Sequence, residues 1–80
     1  MSATELWQLL HAGDWACAHA DAENLGRICD RISRMVSGRP AKLARQVYVL
    51  ADHDLRAASS LWGTLAELLR SEGESHPAPL

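Results

Sequence analysis

The chain has no phenylalanine, a single tyrosine and only seven β-branched residues in 80. Strands draw on β-branched and aromatic side chains, so this shortage argues against a β-sandwich or a β-barrel. Cysteine is scarce as well. Cys17 and Cys29 are too few for a disulfide scaffold. On one continuous helix they would stand about 18 Å apart along the axis, too far for a disulfide. Both are expected as free thiols that serve as small apolar side chains. Three prolines and five glycines exclude a collagenous repeat. No apolar run approaches the roughly 18–20 residues of a membrane span. Residues 1–10 carry no Lys or Arg and include Glu5, unlike a secretory leader. A cytoplasmic protein without membrane association is expected. Net charge is only −2 against 48% hydrophobic residues, which argues against a disordered chain.

The composition that remains is helical. Ala (13) and Leu (12) are the commonest residues, and both favour helix. Eighty residues allow one domain. So short a chain buries only about 60% of its unfolded surface, and small helical domains often add burial by dimerising or docking on a partner.

Apolar periodicity predicts four helices. Ser2-Ala-Thr-Glu5 fits a capping box. A first helix follows over 3–12, with Gly13 as its stop and Asp14 as the next start. A second helix is expected over 15–36. Its stripe includes Ala18, Ala22, Leu25, Ile28, Cys29, Ile32 and Val36, opposite Glu23, Arg27, Asp30, Arg31 and Arg34. Asp21 would fall inside that stripe. Either the helix breaks near His19–Asp21 with Asp21 as a cap, or Asp21 is buried and paired. Ser37-Gly-Arg-Pro40 is a turn with Pro in the first helical turn. A third helix over 40–51 places Leu43, Ala44, Val47, Tyr48, Leu50 and Ala51 inward and Val49 outward. Asp52-His-Asp54 supplies a polar turn and a cap. A fourth helix over 55–70 turns Leu61, Trp62, Leu65 and Leu69 inward. Residues 71–80, with Gly73 and two prolines, are expected as a disordered tail. Leu25, Ile28, Ile32, Leu61 and Leu65 are the expected centre of the core. The fold class is therefore all-α, a small bundle of four helices arranged as two antiparallel hairpins.

A shift of 40 residues aligns Leu10 with Leu50, Asp14 with Asp54, Ala18 with Ala58 and Leu25 with Leu65. The run L-x-x-G-D-W-x-x-A over Leu10–Ala18 resembles the turn of a tetratricopeptide-type helical hairpin. The resemblance covers about residues 5–32 and, more faintly, 45–69. The Tyr, Phe and Pro positions of the full pattern are not met. What the resemblance implies is a groove-forming binding module rather than a catalyst. Such hairpins also occur in small bacterial secretion chaperones.

Catalytic and metal chemistry find little to stand on. Cys17 and His19 are two apart, so on a helix they point to different sides. No C-x-x-C or H-x-x-x-H pair exists. Asp52-His53-Asp54 sets an imidazole between carboxylates, an arrangement more suited to capping a solvated turn. No phosphate-binding glycine loop or nucleophile motif is present. No enzyme, cofactor or metal site is expected.

Binding is better served. Six of the eight basic residues lie between Arg27 and Arg45, where Asp30 is the only acid. Arg31, Arg34, Arg39, Lys42 and Arg45 could meet an acidic protein or phosphates. A nucleic-acid-binding regulator is the alternative reading. Against it stand the net negative charge and a fourth helix without Asn or Gln to read bases. Trp7, Trp15 and Val49 are the apolar groups expected on the surface, and Trp15 is a candidate interface anchor. The sequence thus points to a small bacterial protein–protein interaction module, an adaptor or chaperone, that forms a homodimer. Its expected contact residues are Trp7, Trp15, Arg31, Arg34, Arg39, Lys42, Arg45 and Val49.

Overall fold

The computed structural model describes residues 3–75, with side chains for residues 4–71. Four helices follow one another: α1 (Ala3–Ala18), α2 (Ala22–Met35), α3 (Arg39–Ala51) and α4 (Leu55–Ser75). The all-α architecture and the helix count agree with the sequence pattern, and no strand occurs among the described residues. α2 packs on both α1 and α3, and α3 packs on α4. α1 meets α4 only along a short contact. The hairpin direction shows in one pair: Arg31, late in α2, donates from Nε to Glu5 Oε1, early in α1, at 3.0 Å.

The first boundary differs from the sequence expectation. α1 runs straight through Gly13 and Asp14. Both residues look like a turn because glycine and aspartate are turn formers, yet both are held by α4. Gly13 is buried, and a Cβ there would collide with the six-membered ring of Trp62. The Trp62 indole N–H donates to Asp14 Oδ1 at 2.9 Å, and Arg70 Nη2 donates to Asp14 Oδ2 at 2.6 Å. Gly13 is a notch for an indole, not a helix stop.

The break comes at His19–Asp21 instead. Ala20 takes φ 52°, in the left-handed region. The Asp21 N–H donates to the Ala16 carbonyl at 2.8 Å and the Ala20 N–H to the Cys17 carbonyl at 3.3 Å. These two bonds form a Schellman ending. The Asp21 carboxylate then accepts from the Asn24 N–H at 3.2 Å and opens α2. Of the two roles open to Asp21, capping is the one adopted. The second helix therefore starts at Ala22 rather than residue 15, and Ala18 is exposed at the end of α1. The 40-residue register falls with it. Asp21, not Asp14, is the counterpart of Asp54, which caps α4 through the Ala57 N–H at 3.1 Å.

The later connections match the pattern closely. Gly38 precedes α3 with φ 70°, and Pro40 lies in the first turn. α4 continues to Ser75, past the expected end at Arg70. The rest of the expected tail, and Ser2 of the expected capping box, lie outside the described residues.

Leu10, Leu25, Ile32, Val47 and Leu65 fill the core, with Cys29, Ile28 and Trp62 beside them. Leu61, expected inside, is only half-buried. The inward face of α4 is centred on Ala58, Trp62, Leu65, Ala66 and Leu69, because Trp62 must reach the notch in α1. α3 turns Pro40, Ala41, Ala44, Val47 and Ala51 inward. These small residues let α2 and α4 approach it from two sides. Leu43 and Leu50 flank that face, and Tyr48, expected inside, is turned out.

Candidate functional site

The large exposed apolar side chains among the described residues are Trp7, Trp15, Tyr48 and Val49. They fall into two groups, on α1 and on α3. Val49 is exposed as its helix face implied, and Trp7 and Trp15 are exposed too, although Trp7 shares a helical face with Leu6, Leu9 and Leu10. Tyr48 is the addition. Its ring lies over Gly26 of α2, where an added Cβ would sit 3.8 Å from Tyr48 Cδ2.

The α3 group shapes the larger surface. Arg45, Gln46, Val49 and Leu50 line an open apolar concavity of about 410 Å³. Across the Val49 ridge, a second concavity of about 640 Å³ separates α3 from α2. It is lined by Asp30, Ser33, Arg34, Arg45, Tyr48 and Val49. Arg45 and Val49 belong to both, so the two form one continuous surface.

The basic segment divides on folding. Arg27 pairs with Glu23 at 2.7 Å. Arg31 bonds Glu5 across the α1–α2 contact. Arg34 pairs with Asp30 at 3.4 Å. Arg39, Lys42 and Arg45 form no ion pair among the described residues. All three project from the exposed side of α3, with Val49 one turn beyond Arg45. The cations of α2 are thus satisfied locally, and those of α3 are left for solvent or a partner.

The α1 group lies elsewhere, because α1 packs chiefly on α2. Trp7, His11, Trp15 and His19 follow one another at four-residue intervals, and all four are exposed. The His19 and Trp15 rings stack with centroids 4.1 Å apart and planes 18° apart. His19 Nδ1 donates to the Trp15 carbonyl at 2.9 Å. The sequence marks the two tryptophans as contact residues but not His11 between them or His19 beyond. The four-residue spacing is the available signal, masked by the expected break at Gly13. The expected contact residues therefore do not form one patch: Trp7 and Trp15 lie on α1, Arg31 and Arg34 on α2, and Arg39, Lys42, Arg45 and Val49 on α3.

Among the described residues, three ionisable groups are displaced from their ordinary range. Burial alone would raise the Asp14 carboxyl. The hydrogen bonds from Trp62 and Arg70 outweigh it and hold the group low. Burial, with Cys17 nearby, pushes the Cys29 thiol up to about 12. Burial raises Cys17 too, opposed by a hydrogen bond from Ser59. Neither thiol forms a disulfide. Among the described residues, no three His, Cys, Asp or Glu side chains gather where they could hold a metal ion. No described helix is long and apolar enough to cross a membrane. Comparison with known proteins finds no matching family model, no similar curated protein and no similar solved structure.

Proposed function

We propose that this protein is a small, non-catalytic interaction module, an adaptor or chaperone of bacterial type, which binds an acidic amphipathic segment of another protein. The observation that carries this reading is the α3 surface. A Tyr48–Val49 ridge borders an apolar concavity lined by Arg45, with Lys42 one turn earlier on the same exposed side of α3, and neither cation forms an ion pair among the described residues. An apolar strip edged by cations suits a helix with one apolar face and carboxylates along its margins. Apolar contact would supply affinity, and the cations would supply orientation and encounter rate.

The test is affinity capture from the native host. It compares the wild type with Val49→Asp and with a double charge reversal, Lys42→Glu plus Arg45→Glu. A partner held by the wild type should be lost by both variants while their helical circular dichroism stays unchanged. Exposed charges contribute under about 1 kcal/mol each to folding, so a folding defect is not the expected cause. Retention of the partner by both variants sinks the reading. Random duplex DNA should not bind at 50 mM salt. A tight duplex complex that collapses by 200 mM salt would instead favour a nucleic-acid-binding regulator.

A further inference from the structure

We infer that the cleft between α2 and α3 is a carboxylate clamp, in which Arg34 and Arg45 grip one side-chain carboxylate of the docked segment from two helices. The inference rests on the reading of the α3 surface as a docking site and deepens it, adding a residue of α2 and a fixed anchor point.

Charge defines what the cleft accepts. The concavity of about 640 Å³ between the two helices is lined by Asp30 and Arg34 of α2 and by Arg45 of α3, with Ser33, Tyr48 and Val49 completing the wall. Two cations thus share it with one acid. Arg45 forms no ion pair among the described residues, so the cleft holds one positive charge in excess. One carboxylate cancels that charge. A phosphate monoester, with about two negative charges near neutrality, overshoots it, and a lysine is repelled.

Asp30 holds Arg34 only loosely. Their separation of 3.4 Å is the longest of the four ion pairs among the described residues, and the Arg34 side chain is 78% exposed. The pairs made by Arg27, Arg31 and Arg70 are hydrogen-bonded as well. An exposed pair four residues apart on a helix contributes little to stability, so Arg34 turns to a second carboxylate with little loss. Ser33 does not compete for the guest, because its hydroxyl donates to the Asp30 carbonyl at 2.6 Å. A carboxylate has two oxygens with room for several hydrogen bonds, enough to take a fork from each guanidinium.

The apolar side sets what carries the carboxylate. Arg45 and Val49 line both this cleft and the apolar concavity of about 410 Å³ that Gln46 and Leu50 complete. They stand one helical turn apart on α3. A guest that fills both concavities therefore carries an apolar side chain about one turn from its acid, as neighbours on one helix face do. That is the amphipathic helix the α3 surface suits, with one of its acids now assigned a place.

Calorimetric titration of the full chain with a capped amphipathic helical peptide tests the clamp. The peptide carries leucines along one face and one glutamate a turn from the central leucine. Two further versions carry glutamine or phosphoserine in place of the glutamate. Wild type should bind the glutamate peptide about tenfold more tightly than either. Arg34→Lys and Arg45→Lys keep the charge but lose the fork, and each should weaken the glutamate peptide about fivefold while leaving the glutamine peptide unchanged. Lys42→Gln removes a whole charge from α3 outside the cleft and should weaken binding less. Asp30→Asn frees Arg34 and should tighten binding, whereas Glu23→Gln, the same charge change in the first turn of α2, should not. Arg34 and Arg45 are exposed, so helical circular dichroism should be preserved. Should a lysine variant lose helix, Arg34→Gln and Arg45→Gln, compared with Lys42→Gln, decide the matter in its place. Equal binding of the glutamate and glutamine peptides overturns the clamp and leaves the docking site standing. A preference for phosphoserine overturns it too, as does an Arg34→Lys variant that behaves as wild type. A wild type that binds none of the three peptides also overturns the clamp, and the docking site is then judged separately, by whether Val49→Asp still captures the native partner.

Discussion

Glycine illustrates how one residue type takes opposite roles in this chain. Gly13 is filled by the Trp62 ring from α4, so any Cβ there must displace the indole. Gly63, in the middle of α4, has nothing within 4 Å of an added Cβ. Both are helical, and replacing helical Gly by Ala is worth about 1 kcal/mol in propensity. Gly63→Ala should raise thermal stability by up to that amount. Gly13→Ala should lower it by about 2 kcal/mol or more, because overpacking outweighs propensity. Paired thermal melts that shift in the same direction would refute the notch. Asp14 gives the same contact a pH signature. Its carboxyl is held low in the folded state, so its stabilisation is complete above the unfolded value of about 3.9 and is lost as pH falls through the lower folded value. The wild-type melting temperature should drop below about pH 4. Asp14→Asn should start lower at neutral pH and lose less in that acid range. Cys29 makes a further case: a sealed thiol pushed up to about 12 is not a nucleophile near neutrality. In native protein it should resist a thiol-reactive probe until denaturant is added, with half-buried Cys17 labelled sooner. Equal native labelling rates would contradict the packing.

At the scale of the element, helix existence is legible in the sequence and one boundary is not. The Leu25–Cys29–Ile32 stripe, the turn before Pro40 and the capping Asp54 each state their role within a few residues, because caps and faces are local chemistry. The Gly13-Asp14 pair mimics a turn for a physical reason. Its partners, Trp62 and Arg70, lie some fifty residues away, and nothing local distinguishes a notch from a stop. Asp21 is ambiguous until Ala20 is seen to adopt a left-handed backbone. The site is legible to the same degree. Val49 can be placed outside from its helix face, but Trp7 cannot, because it shares the face of Leu6, Leu9 and Leu10, and Tyr48 cannot, because α3 turns Ala41, Ala44 and Val47 to its neighbours instead. The caps carry their own expectation. Asp21→Ala and Asp54→Ala should each cost about 1 kcal/mol. Ala20→Gly should stabilise, since glycine adopts positive φ without the Cβ penalty. In an 80-residue domain each change of that size moves the melting temperature by several degrees. A destabilised Ala20→Gly variant would contradict the Schellman ending.

In the whole molecule, stability is distributed unevenly, and the distribution follows the contacts. α2 and α3 share the broadest packing and contribute Leu25, Ile32, Ala44 and Val47, all sealed from solvent. α1 leans on α2 and is tied to α4 chiefly through Gly13 and Asp14. Elements with less buried contact open first, below the global unfolding free energy. Native-state hydrogen exchange should therefore find the slowest amides in α2 and α3, and a lower-energy opening that releases α1. Asp14→Asn should speed exchange across α1 while leaving the slowest α2 and α3 amides nearly unchanged. If α1 has protection equal to α2 in the monomer, the four helices form one cooperative unit and this gradient does not exist.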